Sequence, residues 1–408
     1  MEPLAAYPPH VIALCLLLCL LSFSLCLPLT WAVRTLSHRL GAHDSAPLPG
    51  QIKAAARRVP NTGGIAIFLS LALPLAIGAL AVLISPELVS GAANVVGLGS
   101  EIGSLLPGLA ESAPKVLIFL AALLIIHVLG LIDDRRPLGP RLKLAIMVTC
   151  VGLVIILTDT RLLMLLDSTP LGTALSFFIT LLWMVIICNA MNFMDNTDGL
   201  TAGVSAIAGL CFLAAAVQHQ QWFISAALAL LIGACLGFLV FNFPSRLAGP
   251  DRRASIYMGD GGSLVLGFTL AFLTVRTTYI GSPGALTSTT LPSNWYALFM
   301  PILVMAVPLY DLVSVCIIRI RAGRSPMVGD LNHLSHRLMR HGLPARDAVL
   351  LIYALTGITA IGGIFLGSLT AGQAMLVVIQ ALLVLLALAL FESRRKPSPA
   401  SASATTVK

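Results

Sequence analysis

The chain has 408 residues, 58% of them hydrophobic and only 10% charged. Soluble domains carry about 25% charged residues, and a mean hydropathy of +0.95 excludes that class. The composition is that of a polytopic membrane protein, and the formal charge of +8 is expected to reflect membrane topology, with no nucleic-acid partner.

Runs of about 20 apolar residues mark membrane spans. Eleven occur, at 10–33, 63–85, 115–132, 141–158, 171–188, 199–217, 222–241, 260–275, 296–318, 347–368 and 372–391. The first is too long for a signal-peptide core, and Glu2 precedes it where a basic region would stand, so an uncleaved span is expected. With the N-terminus outside, 22 of the 25 Lys and Arg fall in inside segments; only Lys115, Arg161 and Arg276 fall outside. That bias orients the chain. The expected fold is an all-α polytopic integral membrane protein with about 11 transmembrane helices, N-terminus outside, C-terminus cytoplasmic. Residues 1–395 read as one transmembrane catalytic domain and 396–408 as a disordered cytoplasmic tail rich in Ser, Ala and Thr. The Gly-rich outside stretch 86–114 reads as a passive connector, and the eight cysteines, none in a C-x-x-C, as small core residues.

The acidic motifs all fall at the cytoplasmic edge. RVPNTGG, Arg58–Gly64, forms a turn that lets backbone approach a ligand, with Arg58 either a phosphate holder or an ordinary interfacial anchor. GLIDDRRPLGPRLKL ends the third span. Asp133 and Asp134 are hard oxygen ligands beside basic residues, or else they pair with Arg135 and Arg136. NAMNFMDNTDGL, Asn189–Leu200, places Asn189, Asn192, Asp195 and Asp198 three residues apart, a spacing that makes neighbours on a helix. Carboxylates beside a membrane core are costly unless paired, hydrated or cation-bound.

FNFPSR supplies Asn242, and YMGDGGS supplies Tyr257, a stacking surface or an interfacial anchor. Asp260 stands at the expected start of the eighth span, where the helix dipole favours its ionised form. Asp311, inside the ninth span, either supports the site or pairs with Arg319. In GDLNHLSHRL, His333 and His336 have a spacing that permits zinc, but no Cys accompanies them, and Arg337, Arg340 and His341 favour an anion such as a diphosphate.

Together PNTGG, GLIDD, NAMNFMDNTDGL, FNFP, MGDGGS and NHLSH, in this order from residue 60 to 336, resemble the polyprenyl-phosphate N-acetylhexosamine-1-phosphate transferase family (glycosyltransferase family 4 type). His333-Leu334-Ser335-His336 is closer to the pattern of the undecaprenyl-phosphate N-acetylglucosamine-1-phosphate transferase branch than to the three consecutive histidines of the muramoyl-pentapeptide branch. Ser335 replaces one histidine of that pattern, and Pro137 stands where the first motif often has Asp, Asn or Lys.

The resemblance implies a Mg²⁺-dependent phosphotransfer, with Mn²⁺ as an alternative ion. Undecaprenyl phosphate attacks the β-phosphate of a UDP-sugar, foremost UDP-GlcNAc, giving polyprenyl-diphospho-sugar and UMP at the cytoplasmic face of the plasma (inner) membrane. Other donors are another UDP-N-acetyl sugar or UDP-MurNAc-pentapeptide, and a homodimer is compatible with the family. The implied metal ligands are Asp260, Asp195 and Asp134. Asp133 would orient or deprotonate the lipid phosphate, with Asp134, Asp195, Asp198, His333 and His336 completing the catalytic set. Asn189, Asn192, Asn242, Tyr257, Arg58 and Arg337 would bind substrate. The rival classes are an ion-coupled transporter, disfavoured because the acidic groups crowd the inner edge and not the midplane, and a structural subunit, which leaves the Asn/Asp series unexplained.

Overall fold

The computed structural model describes residues 9–42, 59–95, 99–245, 253–277 and 299–394. These residues form helices with no strand among them: α1 (Pro9–Arg39), α2 (Gly64–Ile84), α3 (Pro86–Val95), α4 (Gly99–Arg135), α5 (Pro140–Thr158), α6 (Pro170–Met194), α7 (Leu200–Gln218), α8 (Trp222–Asn242), α9 (Asp260–Thr277), α10 (Met300–Val304), α11 (Ala306–Arg321), α12 (Leu334–Arg340), α13 (Ala345–Ile364) and α14 (Ala371–Arg394). Each apolar run overlaps a helix. Among the described residues nine helices are long and apolar enough to cross a membrane. The predicted tail and Arg58 lie outside the described residues.

Two elements depart from the expected pattern. The stretch 86–114 is largely helical, comprising α3 and the first turns of α4, with Pro107 and Pro114 inside the helix. Glycines and prolines mask the helical period there, while neighbours four apart such as Glu111 and Lys115 (3.6 Å) still pair along the helix. The ninth run is interrupted at Met305 between α10 and α11. Pro308 has no N–H to give Val304 and its ring crowds that carbonyl, which accounts for the break.

The bundle is layered. Side chains of α9 from Gly261 to Val275 are all buried, and most of α7 and α8 are buried too. Because protein and not lipid surrounds α9, it tolerates Ser263, Thr269 and Thr274. Outer helices show large apolar side chains: Leu16 and Leu20 on α1, Ile77 on α2, Ile156 on α5 and Leu376 on α14. Between helices in lipid, close packing replaces the hydrophobic drive. Gly233 and Gly237 of α8 accordingly lie against the α1 backbone at Cys19, Phe23 and Leu27, where a Cβ would collide. This is a polytopic membrane protein, and its acidic motifs gather at one end of the bundle, where α4, α6 and α8 finish and α2, α5, α7 and α9 begin.

Candidate active site

The site starts from the grip of α4 on the first turn of α9. His127, Gly130, Leu131 and Asp134 occupy one face of α4, at the i, i+3, i+4, i+7 spacing. Asp134 Oδ1 accepts the Asp260 amide (3.0 Å) and its Oδ2 the Gly261 amide (3.2 Å), satisfying N–H groups that a helix start leaves open. One turn and more away, His127 Nδ1 donates to the Gly261 carbonyl (2.8 Å), and its ring stacks on Phe68 at 4.5 Å. Gly130 and Gly64 let the α4 and α2 backbones touch residues 260–262 directly. Gly259, with φ +71°, turns the chain into α9.

So held, the Asp260 carboxylate meets three other elements. Oδ1 accepts from Asn192 Nδ2 of α6 (3.0 Å), and Oδ2 pairs with the Lys143 ammonium of α5. Lys143 also pairs with Asp133 Oδ2 (3.1 Å) and donates to Asn192 Oδ1 (3.3 Å). The local chain explains this return. Asp133 Oδ1 accepts the Leu138 amide (2.8 Å), Gly139 takes φ +82° and Pro140 starts α5, so the first turn of α5 folds back over the end of α4. Lys143 was not singled out from the sequence; among several nearby basic residues, only the tight turn could have marked it.

The Asn189–Asp198 series is helical only in its first half. α6 ends at Met194, Asp195 caps it, and Gly199 at φ +81° starts α7 without a side-chain cap. Asn189 and Asn192 therefore lie on a helix while Asp195 and Asp198 lie in a turn. Burial pushes the Asp195 carboxyl up to about 8, and the charges of Asp260 and Asp198 push the same way. Asp198 Oδ2 accepts the Ala254 amide (3.0 Å). Asn242 accepts from the Gly199 amide (2.8 Å) and donates to the Ile256 carbonyl (2.9 Å), so its amide stitches the turn to the segment before α9. Asn189 donates to the Val185 carbonyl (2.7 Å) of its own helix.

Tyr257, half-buried, pairs through its backbone with PNTGG: Tyr257 N to Pro60 O (2.7 Å), and Gly63 N to Tyr257 O (2.9 Å). Asn61 in that turn is 3% exposed, and neither of its amide atoms has a hydrogen-bond partner. A buried amide left so is unusual, and it adds Asn61 to the candidate residues.

The histidine segment forms a second layer. His333 caps α12 and is buried. It donates from Nδ1 to Asp311 Oδ2 (3.0 Å), and Asp311 Oδ1 accepts the Leu334 amide (2.5 Å). Asp311 thus serves the histidine, while Arg319 pairs with Asp330 (3.0 Å). That pairing, with the Asn332 bonds, draws the Asp330 carboxyl below its usual range against the effect of burial. Arg337 is 7% exposed and bonds Glu392 (2.9 Å), Ser314 (2.8 Å) and the Asn332 carbonyl (2.5 Å). His336 is half-buried; burial, then His333 and Arg340, pull its imidazole down to about 4. This layer touches the turn after α6. Phe193 lies edge-on to His333 at 6.0 Å and under the Arg319 guanidinium at 5.3 Å. Ser335, 1% exposed, is bonded to Asn196 (2.5 Å) and Thr197 (2.8 Å), a space a histidine would overfill.

Carboxylate oxygens of Asp133 and Asp260 and the amide oxygen of Asn192 converge on one cationic nitrogen, a hard-oxygen donor set. Among the described residues no group of three or more His, Cys, Asp or Glu is arranged to hold a metal ion. An open set of this kind suits a cation that keeps water and takes phosphate oxygens, as Mg²⁺ does. Of the expected metal ligands, Asp260 belongs to this set. Asp134 would reach such an ion only with lone pairs left over from its two amide bonds.

Fold and site define a helical membrane protein with an acid, amide and lysine cluster at one end of its bundle. Residues 116–278 match the family described as Glycosyl transferase family 4. The chain is 31% identical over 346 residues, 82% of its length and 78% of the relative's, to a decaprenyl-phosphate N-acetylglucosaminephosphotransferase of Mycobacterium tuberculosis. It is 30% identical over 377 residues (89% and 85%) to the protein of that name from Mycolicibacterium smegmatis. It is 29% identical over 262 residues (62% and 65%) to an undecaprenyl-phosphate alpha-N-acetylglucosaminyl 1-phosphate transferase of Escherichia coli. The chain belongs to glycosyl transferase family 4.

Proposed function

We propose that this protein transfers N-acetylglucosamine 1-phosphate from UDP-GlcNAc to undecaprenyl phosphate, giving undecaprenyl-diphospho-GlcNAc and UMP. The observation that carries it is the convergence of Asp133, Asp260 and Asn192 on Lys143 at the membrane end of the bundle, in a family whose relatives bear N-acetylglucosamine phosphotransferase names. The topology that fits has eleven spans, N-terminus outside, C-terminus and site cytoplasmic, in the plasma (inner) membrane. A lipid phosphate lies at that interface, and a soluble nucleotide arrives from the cytoplasm.

An oxygen of the lipid phosphate attacks the β-phosphorus. The bond from that phosphorus to the bridging oxygen breaks, and UMP leaves with the electron pair. Several phosphate charges meet at one point, so fixed cations and oriented donors matter more than covalent chemistry. Lys143 neutralises charge on the diphosphate. Asp133, beside it, orients the attacking lipid phosphate and takes its remaining proton. Asn192 fixes Asp260 and hands Lys143 between ligands. His336, neutral before substrate arrives, is the histidine left to meet the diphosphate. Asp260 and Asp195 would hold Mg²⁺, which when bound supplies Lewis-acid stabilisation of the diphosphate charge. Asn61, buried with an unpaired amide, and Tyr257 would contact the nucleotide from the PNTGG side.

UMP release from purified protein with undecaprenyl phosphate, Mg²⁺ and a panel of UDP-sugars tests this. Lipid-dependent release that is fastest with UDP-GlcNAc is expected. No release from any donor, beside a working control enzyme, would remove the reading.

A further inference from the structure

Glu392 lies near the end of α14, yet its carboxylate is only 11% exposed. The rest of α14 largely faces outward: Met375, Leu376, Leu382, Leu383 and Leu386 are 53 to 66% exposed. Its buried side chains are few and mostly small, Ala374, Ala381 and Leu388, spaced seven apart. Apolar packing gives a helix in lipid little advantage over lipid itself, so polar bonds and close fit decide where it docks. α14 has those bonds at one place. Glu392 accepts from Arg337 Nε (2.9 Å) and Nη2 (3.3 Å) and from the Tyr310 hydroxyl (2.8 Å). Its carbonyl accepts from His341 Nε2 (3.1 Å), and the His341 ring meets Phe391 edge-on at 5.5 Å.

The partners of Glu392 lead back toward the site. Arg337 also holds Ser314 of α11 and the carbonyl of Asn332 and lies 3.9 Å from Asp311. Asn332 is bonded to Asp330 (2.8 Å), and Asp311 orients His333. A single guanidinium thus joins α11, the loop before His333, α12 and α14, and Glu392 is its carboxylate partner at 2.9 Å. The Asp330–His341 segment has little else of α14 to lean on.

We propose that Glu392 is a positioning residue and α14 a strut: through Arg337 they set the segment 330–341, and with it His333 and His336, against the turn that follows α6. For its kinetic consequence the inference rests on the proposed transferase reaction. The segment would hold the diphosphate of the soluble donor, so loosening it acts on the nucleotide and not on the lipid.

The test uses the full chain in detergent with Glu392→Ala and Glu392→Gln. Gln keeps an oxygen that accepts from Arg337 and Tyr310 but loses the charge. Glu392→Ala is expected to raise KM for UDP-GlcNAc about tenfold and leave KM for undecaprenyl phosphate within about twofold, the signature of weaker binding of one substrate only; Glu392→Gln should recover most of that loss. Hydrogen exchange reads the strut without turnover: amides of 330–341 should exchange faster in Glu392→Ala, while those of α9 keep their wild-type rates. Unchanged exchange at 330–341, or equal rises in both KM values, would overturn the proposal. If the wild-type protein releases no UMP, the transferase reading fails, and exchange alone decides the strut. If Glu392→Ala does not fold, exchange in Tyr310→Phe, which removes one of the three donors to the Glu392 carboxylate, carries the decision: a smaller rise at 330–341 is expected, and unchanged rates would overturn the proposal.

Discussion

The acidic cluster and the histidine segment lie in adjoining layers and treat their polar groups in opposite ways. In the cluster, Asp133, Asp260 and Asn192 point at one lysine and share it. In the histidine segment, His333 and Arg337 are bonded to Asp311, Asn332, Ser314 and Glu392, and His336 remains half-buried. Charges that face each other across a shared cation can rearrange around an incoming phosphate. Charges each matched to a buried partner hold a shape. The same residue types, equally suited to substrate on paper, divide into a set that shares one cation and a set bonded to separate partners.

Changes in the two layers should separate that division. The largest effect is expected from Asp260→Asn, which keeps the shape and removes the charge; UMP release should fall by about a thousandfold, the scale of removing a central electrostatic interaction, with unchanged detergent elution. Lys143→Met should follow at about a hundredfold, again in turnover. If the cluster were architectural, both would instead lower thermal stability and spare kcat.

His333→Leu should behave in the reverse sense. It leaves a buried carboxylate short of one hydrogen bond, costing about 1–3 kcal/mol, seen as a lower midpoint in a thermal melt. His336→Gln should leave that midpoint unchanged and raise KM for UDP-GlcNAc by several-fold, about 1 kcal/mol in binding. The smallest effect concerns pH. With the His336 imidazole pulled down to about 4 and the ordinary value near 6.5, an arriving diphosphate should raise it. Binding then takes up protons, and UDP-GlcNAc affinity rises as pH falls from about 6.5 toward 4. Calorimetry in two buffers of different ionisation heat measures this, and His336→Gln should abolish it.

Much of the architecture was legible from residue order alone, because hydrophobicity is a property of contiguous sequence. Every apolar run overlaps a helix, α9 begins at Asp260 as its polar start implied, and the acidic motifs meet at one end. The helical stretch 86–114 and the break at Met305 were not visible, since Gly and Pro blur the period in one and a single proline acts inside an apolar run in the other. The ladder Asn189–Asp198 was half right: spacing names neighbours only while the helix continues, and it stops at Met194.

By itself the sequence determined that this is a membrane bundle, that its apolar runs form helices and to which family it belongs, because composition and motif order carry that information locally. Which charged groups face one another was decided only by tertiary structure. Lys143 finds Asp260 across 117 positions and Arg337 finds Glu392 across 55. An ion pair depends on distance in space, and distance along the chain does not report it.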